Sequence, residues 1–184
     1  MEATDLLMQE HRVIERVLAA LERAARRLAS GEAIGPDVFV QAAEFSKGFA
    51  DGCHHWKEEG ALFPAMEAAG VPREGGPIGV MLAEHEEGRR LSGAMRSAAE
   101  RLAAGDADAR AEVVRSAMGY VALLRQHIAK EDNVLFPMAA RFLRGPAQAE
   151  LAAAFERVER DEAGAGAHEK FLALAASIEK LAAQ

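Results

Sequence analysis

The chain has 184 residues, half of them apolar, 28% charged and 5% aromatic, with a net charge of −7. That length suits one domain with a buried core, and the acidic balance excludes a general nucleic-acid binder, which needs a basic stripe. No run of about 18 apolar residues predicts a membrane span. The N-terminus, MEATDLLMQEHR, lacks the apolar stretch of a signal peptide, and the single cysteine, Cys53, can form no internal disulfide, so a reducing cytoplasm is the expected location.

In chain order, Leu7, Ile14, Leu18, Leu21, Ala25 and Leu28 step by three and four, with His11 filling the one gap. That period predicts an amphipathic helix, which Thr4 or Asp5 can cap. SGEAIGP (30–36) breaks it, and Asp37 lies close to the start of a second helix running through Val40, Phe45, Phe49 and His54 toward Met66. Pro64 is expected to kink or loosen its last turns, because proline lacks the amide proton. GVPREGGP (70–77) is the clearest linker. A third helix carries Ile78, Leu82, His85, Ser92, Met95, Ala99 and Leu102 on one stripe and ends at Gly105. A fourth, opened by Asp106 or Asp108, carries Val113, Ala117, Tyr120, Leu124, His127, Glu131, Val134 and Met138.

Beyond Gly145, Pro146 suits a first helical turn. The C-terminal region has Leu151, Phe155 and Val158, then the glycine-softened DEAGAGAH, then a last amphipathic piece with Phe171, Ala175 and Ile178. No segment alternates with a period of two. The expected fold is all-α: an up-down-up-down four-helix bundle with an additional C-terminal helical segment.

The sequence is also written twice. LMQEH (7–11) recurs as MLAEH (81–85), and HHWKEEGALFP (54–64) recurs as HIAKEDNVLFP (127–137), identical at six of eleven positions. His11 to His54 is 43 residues and His85 to His127 is 42. Two matches at nearly one offset indicate a duplicated helical hairpin, with repeats at 1–70 and 78–143 inside a domain of 1–143 and an extension at 146–184 packed on it. Aligning the two LFP triplets sets His54 against His127 and Glu58 against Glu131. Each pair is spaced i, i+4, one turn apart on one face. His55 then falls against Ile128, about 100° away around an α-helix, and is expected to line a neighbouring seam or the surface.

Each hairpin thus supplies the same kit: His11, His54 and Glu58 from the first, His85, His127 and Glu131 from the second. Two carboxylates inside an otherwise apolar bundle are unfavourable unless compensated, and a bound cation, or two, compensates them. Two ions about 3.5–4 Å apart, each held by two His and bridged by both Glu, use every group. Imidazole with bridging carboxylate suits iron or manganese, with zinc less favoured. Fewer than six protein donors per ion leaves coordination positions for a small exogenous ligand. Ferritin-like di-iron bundles use Glu-x-x-His and four Glu, the reverse order.

EH, then HxxxE ahead of LFP, then both again, resembles the bacterial hemerythrin-like, or HHE cation-binding, family over residues 1–143. The resemblance implies two iron ions in a non-haem, oxo- or hydroxo-bridged di-iron centre with His11, His54, Glu58, His85, His127 and Glu131 as ligands. It implies a partner such as oxygen, nitric oxide or peroxide, or a role in handling iron; the alternative is a peroxide-decomposing or nitric-oxide-reducing enzyme. Oxygen-carrying members have a further His one turn after the third-helix ligand, where this chain has Arg89, and close the last pair at an offset of five rather than four. Those departures favour sensing or reaction over reversible oxygen carriage.

Of the remaining residues, His168 is expected to pack the last helix onto the bundle, with a ligand or proton-relay role as the alternative. Tyr120 shares a face with His127 and needs some polar partner. Glu10 and Glu84 precede ligand histidines and can accept from a His N–H on a neighbouring helix, or stand solvated. Cys53 reads as a core or boundary residue, Trp56, Phe63 and Phe136 as packing anchors, and Arg26-Arg27 and Arg89-Arg90 as a solvated face. No nucleophile–base pair and no glycine-rich phosphate loop is present.

Overall fold

The computed structural model describes residues 2–160 and 167–184, so most of the DEAGAGAH stretch lies outside the described residues. Among them all regular structure is helical. α1 (Ala3–Ala29) is capped by Glu2, two residues before the nearer expected cap: the Glu2 amide donates to Asp5 Oδ2 at 2.8 Å, while Thr4 is buried. The helix stops where Gly31 turns to φ 91°, letting the Glu32 amide reach back to the Arg27 carbonyl. Gly105, at φ 96°, ends α4 (Pro77–Ala103) in the same way. Only glycine enters that left-handed region without penalty, which makes both ends sharp.

The second long stretch is not one uniform helix. α2 (Asp37–Phe45) passes into a π-helical segment at Ser46–His55, a second π turn at Glu58–Leu62, and α3 (Phe63–Ala68). The fourth stretch repeats the pattern, with α5 (Ala109–Lys130), a π turn at Glu131–Leu135 and α6 (Phe136–Phe142). Both short π turns run directly into the LFP prolines. A proline has no N–H to give the preceding turn and its ring crowds the carbonyl four residues back, so the helix opens there. The expected loosening at Pro64 therefore takes the form of a wider turn, made in both halves. α7 (Pro146–Val158) and α8 (Ala167–Leu181) complete the chain.

α1 packs on α5, α5 on α4, α4 on α2, and α2 on α1, closing a ring of four helical stretches. Its interior is divided. One apolar cluster, with Ile14, Leu18, Phe45, Met95 and Val121, fills one end, and a second, with Leu7, Leu62, Phe63, Met81 and Phe136, fills the other. His11 lies on α1 between Leu7 and Ile14, at the seam between the two. No helix among the described residues is long and apolar enough to cross a membrane.

α8 lies against α1 and α2, burying Phe171, Ala175 and Ile178, while Arg16 of α1 grips Glu179 through two hydrogen bonds of 3.0 and 2.7 Å. Phe171 meets the chain at Gly48, where a Cβ would sit 2.2 Å from the ring. That ring is held between Phe45 and Phe49 and has little room to turn. Gly48→Ala is therefore expected to lower stability by about 1–3 kcal/mol through overpacking. Denaturant unfolding of the pure variant reads this; an unchanged midpoint would contradict the packing of α8.

Candidate metal centre

The repeat brings its six residues to one place. His11, His54, Glu58, His85, His127 and Glu131 are each no more than 2% exposed and meet across four different helical stretches. His11 Nε2 lies 2.9 Å from His54 Nε2 and 3.2 Å from Glu131 Oε2, while His54 Nε2 is 3.5 Å from Glu58 Oε1. In the other half, His85 Nε2 lies 3.2 Å from His127 Nε2 and 3.3 Å from Glu58 Oε2, and His127 Nε2 is 3.2 Å from Glu131 Oε1. Each carboxylate thus turns one oxygen toward each histidine pair. None of the four carboxylate oxygens receives a hydrogen bond. Buried carboxylates without donors are costly, and a cation in each half would relieve both. Metal–donor bonds of about 2.1 Å at right angles put neighbouring donors about 3 Å apart, close to these separations.

The outward nitrogens fix which atom faces inward. His11 Nδ1 donates to Asp132 (2.7 Å), His54 Nδ1 to Glu10 (3.0 Å), His85 Nδ1 to Glu59 (2.7 Å) and His127 Nδ1 to Glu84 (3.0 Å). A carboxylate only accepts, so each neutral imidazole keeps its proton on Nδ1 and turns the Nε2 lone pair to the centre. Each acid is held in turn by a cation: Asp132 by Arg12, Glu10 by Lys57, Glu59 by Arg89 and Glu84 by Lys130. Of the two sequence readings of Glu10 and Glu84, the structure supports acceptance from His54 and His127.

Lys57 is fully buried. Burial opposes its charge, but Glu10 and Glu159 outweigh that and raise its pKa. Sequence reasoning passed over Lys57 and Lys130, although both stand at the same repeat position, directly before Glu58 and Glu131. The matched lysine was the available signal.

Burial also works against charge on His127, yet Glu131 beside it prevails and pushes the imidazole up to about 10. His11, opposed by burial in the same way, is held up at about 9 by Asp132 and Glu131. Glu131 itself lies below the usual carboxylate range despite its burial, because His127 is adjacent. A cation entering the centre must displace those imidazole protons. At pH 8 uptake is expected to release about two protons per chain from His11 and His127, and to weaken as the pH falls. Calorimetry in buffers of different ionisation enthalpy counts them; no proton release would contradict the arrangement.

Two expectations are corrected here. Trp56 is 45% exposed and anchors nothing, whereas Phe63 and Phe136 are buried and lie parallel to the His85 and His11 rings at 5.9 and 5.4 Å. His55 does not reach the surface. It is 4% exposed and stacks on His85, with ring centroids 3.8 Å apart. The separation of about 100° holds for an α-helix, but His54 and His55 end a π-helical segment, where an extra residue per turn brings successive side chains closer around the axis. Two groupings of side chains could hold an ion: His11, His54, Glu58 and Glu131, and His55, Glu58, His85 and His127.

Other residues stand apart. His168 is exposed, its ring 6.0 Å from that of Phe49. The Tyr120 hydroxyl accepts from Ser46 Oγ at 2.7 Å, and burial pushes its pKa up to about 12. Cys53 is buried, and burial raises its thiol. Arg90 pairs with Glu87 on the surface as expected, but Arg89 turns inward onto Asp51 and Glu59.

Comparison with known proteins agrees with this centre. The model of the hemerythrin HHE cation binding domain matches residues 2–139. Uncharacterized proteins of Mycobacterium bovis and Mycobacterium tuberculosis are each 28% identical over 178 residues, which is 97% of this chain and 69% of theirs. No solved structure matches significantly.

Proposed function

We propose that this chain, which belongs to the hemerythrin HHE cation-binding family, is a non-haem di-iron protein that binds or senses oxygen, nitric oxide or peroxide, or handles iron. In this reading His11 and His54 hold one ion, His85 and His127 the other, and Glu58 and Glu131 bridge them. The observation that carries it is the division of each carboxylate, one oxygen to each histidine pair, with no hydrogen bond to any of the four. Two imidazoles and two bridging oxygens supply four protein donors per ion. The iron would offer its remaining positions to a small ligand, and the protein's part is to hold each Nδ1 proton on its outer acid and aim every Nε2 inward.

The ring of four packed helical stretches supports an up-down-up-down bundle over 1–143, with 146–184 as a covering extension. The lone cysteine supports a cytoplasmic setting. We take the physiological partner to be a small diatomic or peroxide rather than a nucleic acid or a membrane. Iron analysis with an optical spectrum before and after oxygen tests the assignment. Two irons per chain, with absorption that changes on oxygen exposure, is the expected result; a colourless protein with less than one iron after anaerobic loading would overturn it.

A further inference from the structure

A fifth buried histidine in this interior, His55, belongs to none of the matched positions. His55 is buried, and neither of its ring nitrogens has a hydrogen-bond partner. A buried imidazole left so is unfavourable. Its neighbours are metal-ligating groups: a ring nitrogen of His55 lies within 4.8 Å of ligand atoms of Glu58, His85 and His127.

His55 also carries the outward signature of the four other imidazoles. Each of those has an acid at Nδ1 and a cation on that acid. His55 Nδ1 faces Asp51 Oδ1 at 3.5 Å, and Arg89 holds the same Asp51 oxygen with Nε at 2.8 Å and Nη2 at 2.7 Å. The sequence departs from the oxygen carriers at Arg89, and the structure gives that arginine work of another kind: it steadies the acids behind both His55 and His85. On the other half of the repeat the position is Ile128, buried in the apolar core. The asymmetry is therefore written into the duplicated sequence.

We propose that His55 is a fifth imidazole ligand, to the ion held by His85 and His127. This inference rests on the di-metal reading above. It makes the two ions unequal, with five protein donors on one and four on the other, so that the more open ion is the one at His11 and His54. His55 also lines a pocket of about 220 Å³, together with Ser46, Asp51, Gly88, Arg89 and Tyr120. That pocket offers a small molecule a path to the position of its side chain.

The test uses the full chain, stripped of metal and titrated with Co(II), whose visible absorption reports coordination number, alongside metal content and competition with a chelator. The wild type is expected to take two Co(II) per chain. In His55→Ala one ion keeps its affinity while the other weakens roughly 10–100-fold, and added imidazole restores it through the vacated space. His55→Leu, shaped like the Ile128 of the other half, shows the same loss without rescue, and carries the affinity reading if the alanine variant does not fold.

Two wild-type-like affinities and an unchanged spectrum in both variants would overturn the inference while leaving the di-metal reading intact. Loss in a folded His55→Ala that imidazole does not restore would also overturn it, assigning His55 to packing. A wild type that fails to bind two ions would overturn the di-metal reading and this inference with it.

Discussion

Replacing Glu131 by Ala is expected to remove most of the bound iron. Its two oxygens face opposite histidine pairs, at 3.2 Å from His11 Nε2 and 3.2 Å from His127 Nε2, so in the proposed centre one truncation would take a donor from both ions at once. It also removes half of the negative charge that a pair of cations needs in a buried site. The four imidazoles would remain, oriented by their outer acids, but with Glu58 as the sole bridge. Glu131→Gln keeps the shape while removing the charge and is expected to lose iron nearly as fully, which separates electrostatics from packing. Elemental analysis after identical loading reads both variants. Full occupancy in either one would show that Glu131 is no ligand.

Chelation is expected to lower the melting temperature by roughly 5–10 °C. A ligand that binds only the folded chain stabilises it by about 2.7 kcal/mol at a hundred times its dissociation constant. For a domain of this size each kcal/mol moves the midpoint by about 2–4 °C. The structural reason lies in the position of the centre: the six side chains come from four helical stretches, at the seam between two apolar clusters. With no cation only protonated imidazoles offset the two buried carboxylates there. Scanning calorimetry with and without chelator measures the difference. Superimposable curves would mean that metal is not bound in the interior.

Much of this was legible in the sequence, because the duplication filters noise. A single HxxxE spacing is common, but its recurrence with EH at a matched offset selects six residues, and all six meet. The outer acids were half legible: Glu10 and Glu84 followed from the EH pairs, whereas Glu59 and Asp132 follow only once the two halves are seen to exchange acids, Asp132 serving His11 and Glu59 serving His85. His55 was lost for a geometric reason. Helical-wheel reasoning assigns about 100° per residue, and a π-helical segment does not obey it. Trp56 was misread because bulk and apolarity suggested an anchor, while its place beside His55 turns it outward. Arg89 looked like half of a solvated pair, since nothing in a linear sequence tells which of two arginines bends back over buried acids.

Duplicated side chains gathering two cations in one interior is the feature on which the proposed function stands. Anomalous diffraction at the iron edge from crystals of the iron-loaded protein would locate them. Two peaks about 3.5–4 Å apart are expected, one beside His11 and His54 and one beside His85 and His127, with Glu58 and Glu131 between them. A single peak, or iron bound only at the surface, would contradict it.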